Sequence, residues 1–214
     1  MTGARDDDVP GQRAEPKPVE PAADGQPGRR EPAPASLRSF LASLVVLVLA
    51  VGALSIFVIR PFVAEPFYIP SASMEPTLHG CDGCVPDRVL VDKLTYRFRS
   101  PERGEVVVFD RPTNLRVPEA RLIKRVIGLP GETVSGHDGA VWIGDRRLAE
   151  PYVNPACDGT ADFAAVSVPA GRVFVMGDNR CNSLDGRVFG PIEESSIVGR
   201  AFMIIWPVGR LHWL

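Results

Sequence analysis

The chain has 214 residues, 45% of them hydrophobic, with 24 basic and 26 acidic side chains. That length allows one sizeable domain, or a small one plus appendages. Charge this close to balance argues against the basic face on which nucleic-acid binding rests, so no nucleic acid is expected as a partner.

In chain order, Met1–Ser36 comes first. It is rich in Pro, Gly, Ala, Asp, Glu and Arg and holds no aromatic residue. Such a segment cannot bury enough apolar surface to offset its ordering entropy, and it reads as a disordered tail. Phe40–Ile59 follows, FLASLVVLVLAVGALSIFVI, 20 residues without a charge. As a helix it rises about 30 Å, the thickness of a bilayer core. A cleaved leader fits less well. The run is long, 39 residues precede it, and Arg60 and Pro61 follow where small residues would be needed. An uncleaved anchor is expected over 37–60, between a 1–36 tail and an outer domain over 61–214. Arg29, Arg30 and Arg38 precede the span and Arg60 alone follows it closely. That bias directs the N-terminus to the cytoplasm and the larger part outside the plasma membrane, in a single pass.

The outer part is a series of β-rich runs cut by Gly and Pro. They are Val85–Val91, Val106–Phe109, Leu122–Ile127, Thr133–Ser135, Ala140–Ile143, Val166–Val168, Val173–Met176 and Ile197–Ile205. No long amphipathic helix or internal repeat appears, so the expected fold is mainly β, with twisted mixed and antiparallel sheets. All four cysteines, Cys81, Cys84, Cys157 and Cys181, lie here. An even number outside a membrane suits two disulfides, with three pairings open. Cys81 and Cys84 can close a tight local loop, which would leave Cys157 and Cys181 for each other. Two rivals stay open. HGCDGC offers His79, Cys81 and Cys84 at a zinc-like spacing, and Cys-x-x-Cys can be redox-active. No metal and no other cofactor is expected.

IPSASMEPTL, from Ile69 to Leu78, holds two serines one residue apart ahead of a proline-rich turn. A hydroxyl needs a base to become a nucleophile. The three histidines, His79, His137 and His212, sit in turns or near the end, and none lies in a stretch built to hold a base. A lysine can serve if burial lowers its pKa. In RLIKRVIGLPG, Lys124 shares a strand face with Leu122 and Val126, an apolar setting. The bland reading of such a lysine is a charge that guards a strand edge.

Taken in order, PSASMEPTL, IKRVIGLPG and GDNRCNSLDGR behind one anchor resemble the bacterial type I signal peptidases. These are Ser/Lys endopeptidases that remove signal peptides from exported preproteins, on a fold shared with self-cleaving repressor proteases. The resemblance covers Phe62 to about Trp206. It implies Ser73 as nucleophile and Lys124 as general base. Ser71 would join the Ser73 N–H in an oxyanion hole, and Ser183 would orient the lysine amine. Asp185 and Arg187 would form an ion pair behind the site, with Asp178, Asn179 and Arg180 holding the turn. Phe67, Ile69 and Pro70 would form the strand against which substrate pairs. Ile69, Met74, Leu78, Leu122 and Ile123 would line pockets for small residues of Ala-x-Ala type. Membrane lipid and transient contact with the secretion machinery are implied as further partners. Trp206, Trp213, Phe202 and Phe62 could reach the lipid interface.

The third motif departs from the family pattern. Cys181 replaces an Asp and Gly186 a Ser, and Glu132 stands where Asp is common after Gly-Leu-Pro-Gly. A Cys157–Cys181 bridge would stiffen the loop that carries Ser183. Three rival functions stand beside this reading: a self-cleaving repressor-type domain, an inactive membrane-anchored binding module, and a cysteine-based metal or redox protein.

Overall fold

The computed structural model describes residues 37–55, 57, 63–81, 83–154, 156–157 and 159–214. The 1–36 tail, with Arg29 and Arg30, lies outside the described residues, as do Arg60 and Phe62. The chain parts into two units between Ser43 and Leu44, and each is taken by itself.

Helix α1 spans Leu37–Leu54, 18 residues. Val46, Leu47, Val48 and Leu49, consecutive positions that point to different sides, are all exposed on it. A helix apolar on every side has no polar face to turn to water, which fits a lipid surrounding. The expected end at Ile59 falls outside the described residues.

The remaining chain forms twelve described strands: β1 Ala64–Tyr68, β2 Arg88–Asp92, β3 Val106–Asp110, β4 Arg121–Gly128, β5 Thr133–His137, β6 Ala140–Ile143, β7 Arg146–Arg147, β8 Phe163–Ser167, β9 Arg172–Met176, β10 Ile192–Glu193, β11 Ile197–Trp206 and β12 His212–Trp213. The larger sheet runs β1-β2-β11-β3-β4-β9-β10, with β12 beside β11, and the smaller runs β7-β6-β5-β8. Every described pairing is antiparallel. The mixed pairing expected from sequence does not occur among the described residues. Parallel neighbours need a long crossover, usually helical, and only one-turn helical segments are described after α1.

The apolar run in β3 lacks the polar alternation of a half-exposed strand, because both faces are covered. Val106 and Val108 join Ile69, Met74, Leu78, Val89 and Ile204 on one side. Val107 and Phe109 join Val126, Val173 and Val175 on the other. Each fully buried large side chain contributes about 1.5–3 kcal/mol. A third cluster of Ile127, Val134, Val141, Val168, Phe174 and Met176 fastens the small sheet to the far end of β4 and β9. The catalytic candidates sit at the opposite, N-terminal half of β4.

Candidate active site

After Tyr68 the chain keeps one strand-like bond, from Ile69 N to the Asp87 carbonyl at 3.1 Å. Ser71 remains extended, and a 3-10 turn over Ala72–Met74 begins next. The extended path therefore stops at Ser71. No neighbouring strand pairs there, and the Glu75 N–H closes back on the Ala72 carbonyl at 3.1 Å. The two serines still meet, with their Oγ atoms 3.2 Å apart.

Lys124 reaches this turn from β4. Its Nζ lies 2.7 Å from Ser73 Oγ and donates to the Ile123 carbonyl at 2.9 Å. Lys124 is 4% exposed and Ser73 7%. Burial pushes the Lys124 ammonium down from 10.5 to about 8, while the more distant carboxylates of Asp185, Asp178 and Glu119 pull the other way. Desolvation wins because no carboxylate touches the amine. A base near neutrality is the result.

Next in sequence, Arg125 is handled differently. Its guanidinium grips Asp178 through two bonds, Nε–Oδ1 at 2.8 Å and Nη2–Oδ2 at 2.6 Å. It also donates to the Gly104 carbonyl at 2.7 Å and lies 4.1 Å from the centre of the Tyr152 ring. Asp178 accepts from Thr77 Oγ1 as well, so the fork ties β4 to the turn after Ser73. Asn179 adds two clamps: its N–H donates to the Ser73 carbonyl at 3.1 Å, and its side chain to the Ala72 carbonyl at 3.0 Å. Arg180 donates to the Gly177 carbonyl at 2.8 Å and pairs with Glu150. Asp185 binds Arg187 and accepts from Gly177 N at 3.0 Å. Only glycine fits at 177, because a Cβ would overlap both Ser183 Oγ and the Ser73 carbonyl.

Ser183 is placed at this crowded point, but its buried Oγ makes no hydrogen bond to Lys124 or to any other group among the described residues. Ile69, Met74 and Leu78 are 0% exposed and belong to the core. They back the site and do not line it, because the chain turns inward at these positions. Phe67, Pro70, Ser71, Ser73, Leu122, Ile123 and Lys124 do line a cleft, of about 230 Å³, together with Leu115, Val117, Glu119, Arg121, Asn182 and Leu184. Sequence reasoning passed over that second group. It also passed over Arg125, Glu150 and Tyr152. Arg125 was visible beside Lys124 in the motif, whereas Glu150 and Tyr152 stand in a segment that reads as insertion material.

The cysteines pair as Cys81–Cys84 and Cys157–Cys181. The first bond withdraws both sulfurs from a ligand set with His79, whose Nδ1 lies 2.5 Å from Glu75 Oε2. His137 stacks on Trp142 and His212 is exposed in β12. No described histidine contacts Ser73.

The family model described as "Signal peptidase, peptidase S26" matches residues 37–206. A signal peptidase I from Mycobacterium tuberculosis is 36% identical over 97% of this chain and 88% of its own length. A probable signal peptidase I-2 from Synechocystis is 41% identical over 80% and 73%. Signal peptidase I T from Bacillus subtilis is 36% identical over 77% and 85%. Among solved structures, a signal peptidase I from Enterococcus faecalis is 35% identical with a TM-score of 0.40, covering 48% of this chain and 97% of that one. With a family model over most of its length and relatives this similar end to end, the chain belongs to the signal peptidase family, peptidase S26.

Proposed function

We propose that this S26 peptidase removes signal peptides from exported preproteins, using Ser73 as nucleophile and Lys124 as general base. The observation that carries this reading is the 2.7 Å approach of the buried Lys124 amine to Ser73 Oγ. Neutral Lys124 takes the Ser73 proton as Oγ attacks the scissile carbonyl. The C–N bond breaks, Lys124 returns the proton to the leaving amine, and the signal peptide stays behind as an ester. Lys124 then draws a proton from water, the hydroxide attacks the ester, and the proton returns to Ser73. The Ser73 N–H and the Ser71 hydroxyl would stabilise the oxyanion, and Ser183 would hold the amine in line. In support, Ser183 Oγ is buried without a hydrogen-bond partner among the described residues, which leaves it open to the amine.

Residues 121–124 of β4 pair with β3 alone, because pairing with β9 begins only at Arg125. An extended substrate would add to that free edge. A cleft of about 230 Å³ walled by Phe67, Leu122 and Ile123 suits small side chains of Ala-x-Ala type. We place α1 across the plasma membrane, with the 1–36 tail cytoplasmic and the 61–214 domain outside. There exposed Trp206 and Trp213 would face lipid, and contact with the secretion machinery would be transient.

The test is cleavage of a preprotein bearing an Ala-x-Ala site, with the new N-terminus read by mass. Detergent-solubilised wild type should cut after that site, and Ser73→Ala and Lys124→Ala should not. Full activity in Lys124→Ala would remove the proposed base.

A further inference from the structure

The cleft carries one acid that the reaction does not use. Glu119 lines it together with Ser71, Lys124 and Leu184, and its charge acts on Lys124. Two cations near it in the chain, Arg121 and Arg111, are engaged elsewhere. Arg121, on the same wall, pairs with Glu65 at 3.4 Å and with Asp110 at 3.3 Å. Arg111 donates to the Val117 carbonyl. Among the described residues Glu119 has no ion pair or hydrogen bond of its own. The other carboxylates near the site are neutralised: Asp178 by Arg125 and Asp185 by Arg187.

A half-buried carboxylate without a direct ion pair attracts a cation more strongly than a fully solvated carboxylate does. We propose that Glu119 is a specificity-determining residue that draws a lysine or arginine side chain of the preprotein into the cleft beside the scissile bond. This inference rests on the peptidase reading of the same cleft. It has a second consequence. Glu119, with Asp185 and Asp178, holds a proton on Lys124 against the effect of burial. A substrate cation seated on Glu119 cancels its share, so a basic substrate both binds and helps to free the base.

The experiment uses the full chain in detergent and peptides spanning an Ala-x-Ala cut. Lysine, glutamate or glutamine is placed in turn at each position on either side. The readout is the ratio of kcat/KM for the lysine and glutamate peptides within one enzyme, which cancels any common loss in a variant. Wild type should favour lysine about fivefold at one or more positions at low salt, less at high salt. In Glu119→Gln the ratio should fall towards one, and in Glu119→Lys it should invert. On the glutamine peptide, Glu119→Gln should also move the acid limb of the pH profile to lower pH. Ratios left unchanged by both substitutions at every position, with the glutamine peptide still cut, would overturn the inference. Failure of wild type to cut the glutamine peptide at all would instead sink the peptidase reading, and the inference with it.

Discussion

The two halves of β4 meet at a pair of adjacent buried cations and treat them in opposite ways. Arg125 begins the half that is paired on both sides, and it is neutralised by a two-bond fork to Asp178. Lys124 ends the half with a free edge, and it touches only a hydroxyl and a carbonyl. Arginine stays charged at any accessible pH, so a buried one must be paired. Lysine can shed its proton, so a buried one without a carboxylate becomes a base. The comparison teaches that burial alone does not decide whether a cation can give up its proton. The choice of partner does.

Substitutions at the two positions should therefore separate activity from stability. Lys124→Met should lower the cleavage rate by about 10³-fold or more without lowering the thermal midpoint at pH 7. A loss of stability as large as the loss of activity would break the comparison. Arg125→Met should do the reverse in kind, destabilising the chain by about 3–5 kcal/mol because Asp178 is left charged and buried. Denaturant unfolding of the detergent-solubilised protein measures it. Ser71→Ala tests the free-edge side again. If its hydroxyl joins the oxyanion hole, kcat should fall by about 10²–10³-fold, or about 2.7–4 kcal/mol, with KM little changed.

The smallest effect is in pH. Below about pH 8 Lys124 is charged in folded and unfolded chains alike, and burial costs about 3 kcal/mol. Between about 8 and 10.5 the folded chain has released the proton and the penalty fades. Wild type should thus gain stability relative to Lys124→Met as pH rises through that window. Over the same range kcat/KM should rise with an apparent pKa of about 8. A flat profile from pH 6 to 9 would remove the lowered lysine from the mechanism.

Much of this was legible in the sequence. The strands β3, β4, β6, β9 and β11 fall within a residue or two of the apolar runs, because turns with Gly and Pro mark their ends. Ser73 and Lys124 were singled out from a motif and a lone lysine among apolar residues, and the fold brings them together across 51 positions. The short strands β7, β10 and β12 left no run long enough to read. The placement of Met74 and Leu78 in the core was not visible either, since an apolar residue in a turn looks the same whether it lines a cleft or backs it. The clamp by Asn179 and the stacking of Tyr152 on Arg125 depend on contacts distant in sequence, and no local pattern encodes those.

The open edge at residues 121–124 has a consequence for the company this domain can keep. A row of unpaired backbone groups is a template for any extended chain, including another copy of the protein. Here the unpaired row is about four residues long, with Ile123 and Lys124 buried in it, and Arg121 and Glu119 line the same cleft. A short edge offers too few hydrogen bonds to hold a stray strand for long. What stays must also fit its side chains between Phe67 and Ile123. The same brevity that guards against clumping makes the edge a weak grip, suited to a chain that must be released once it has been cut.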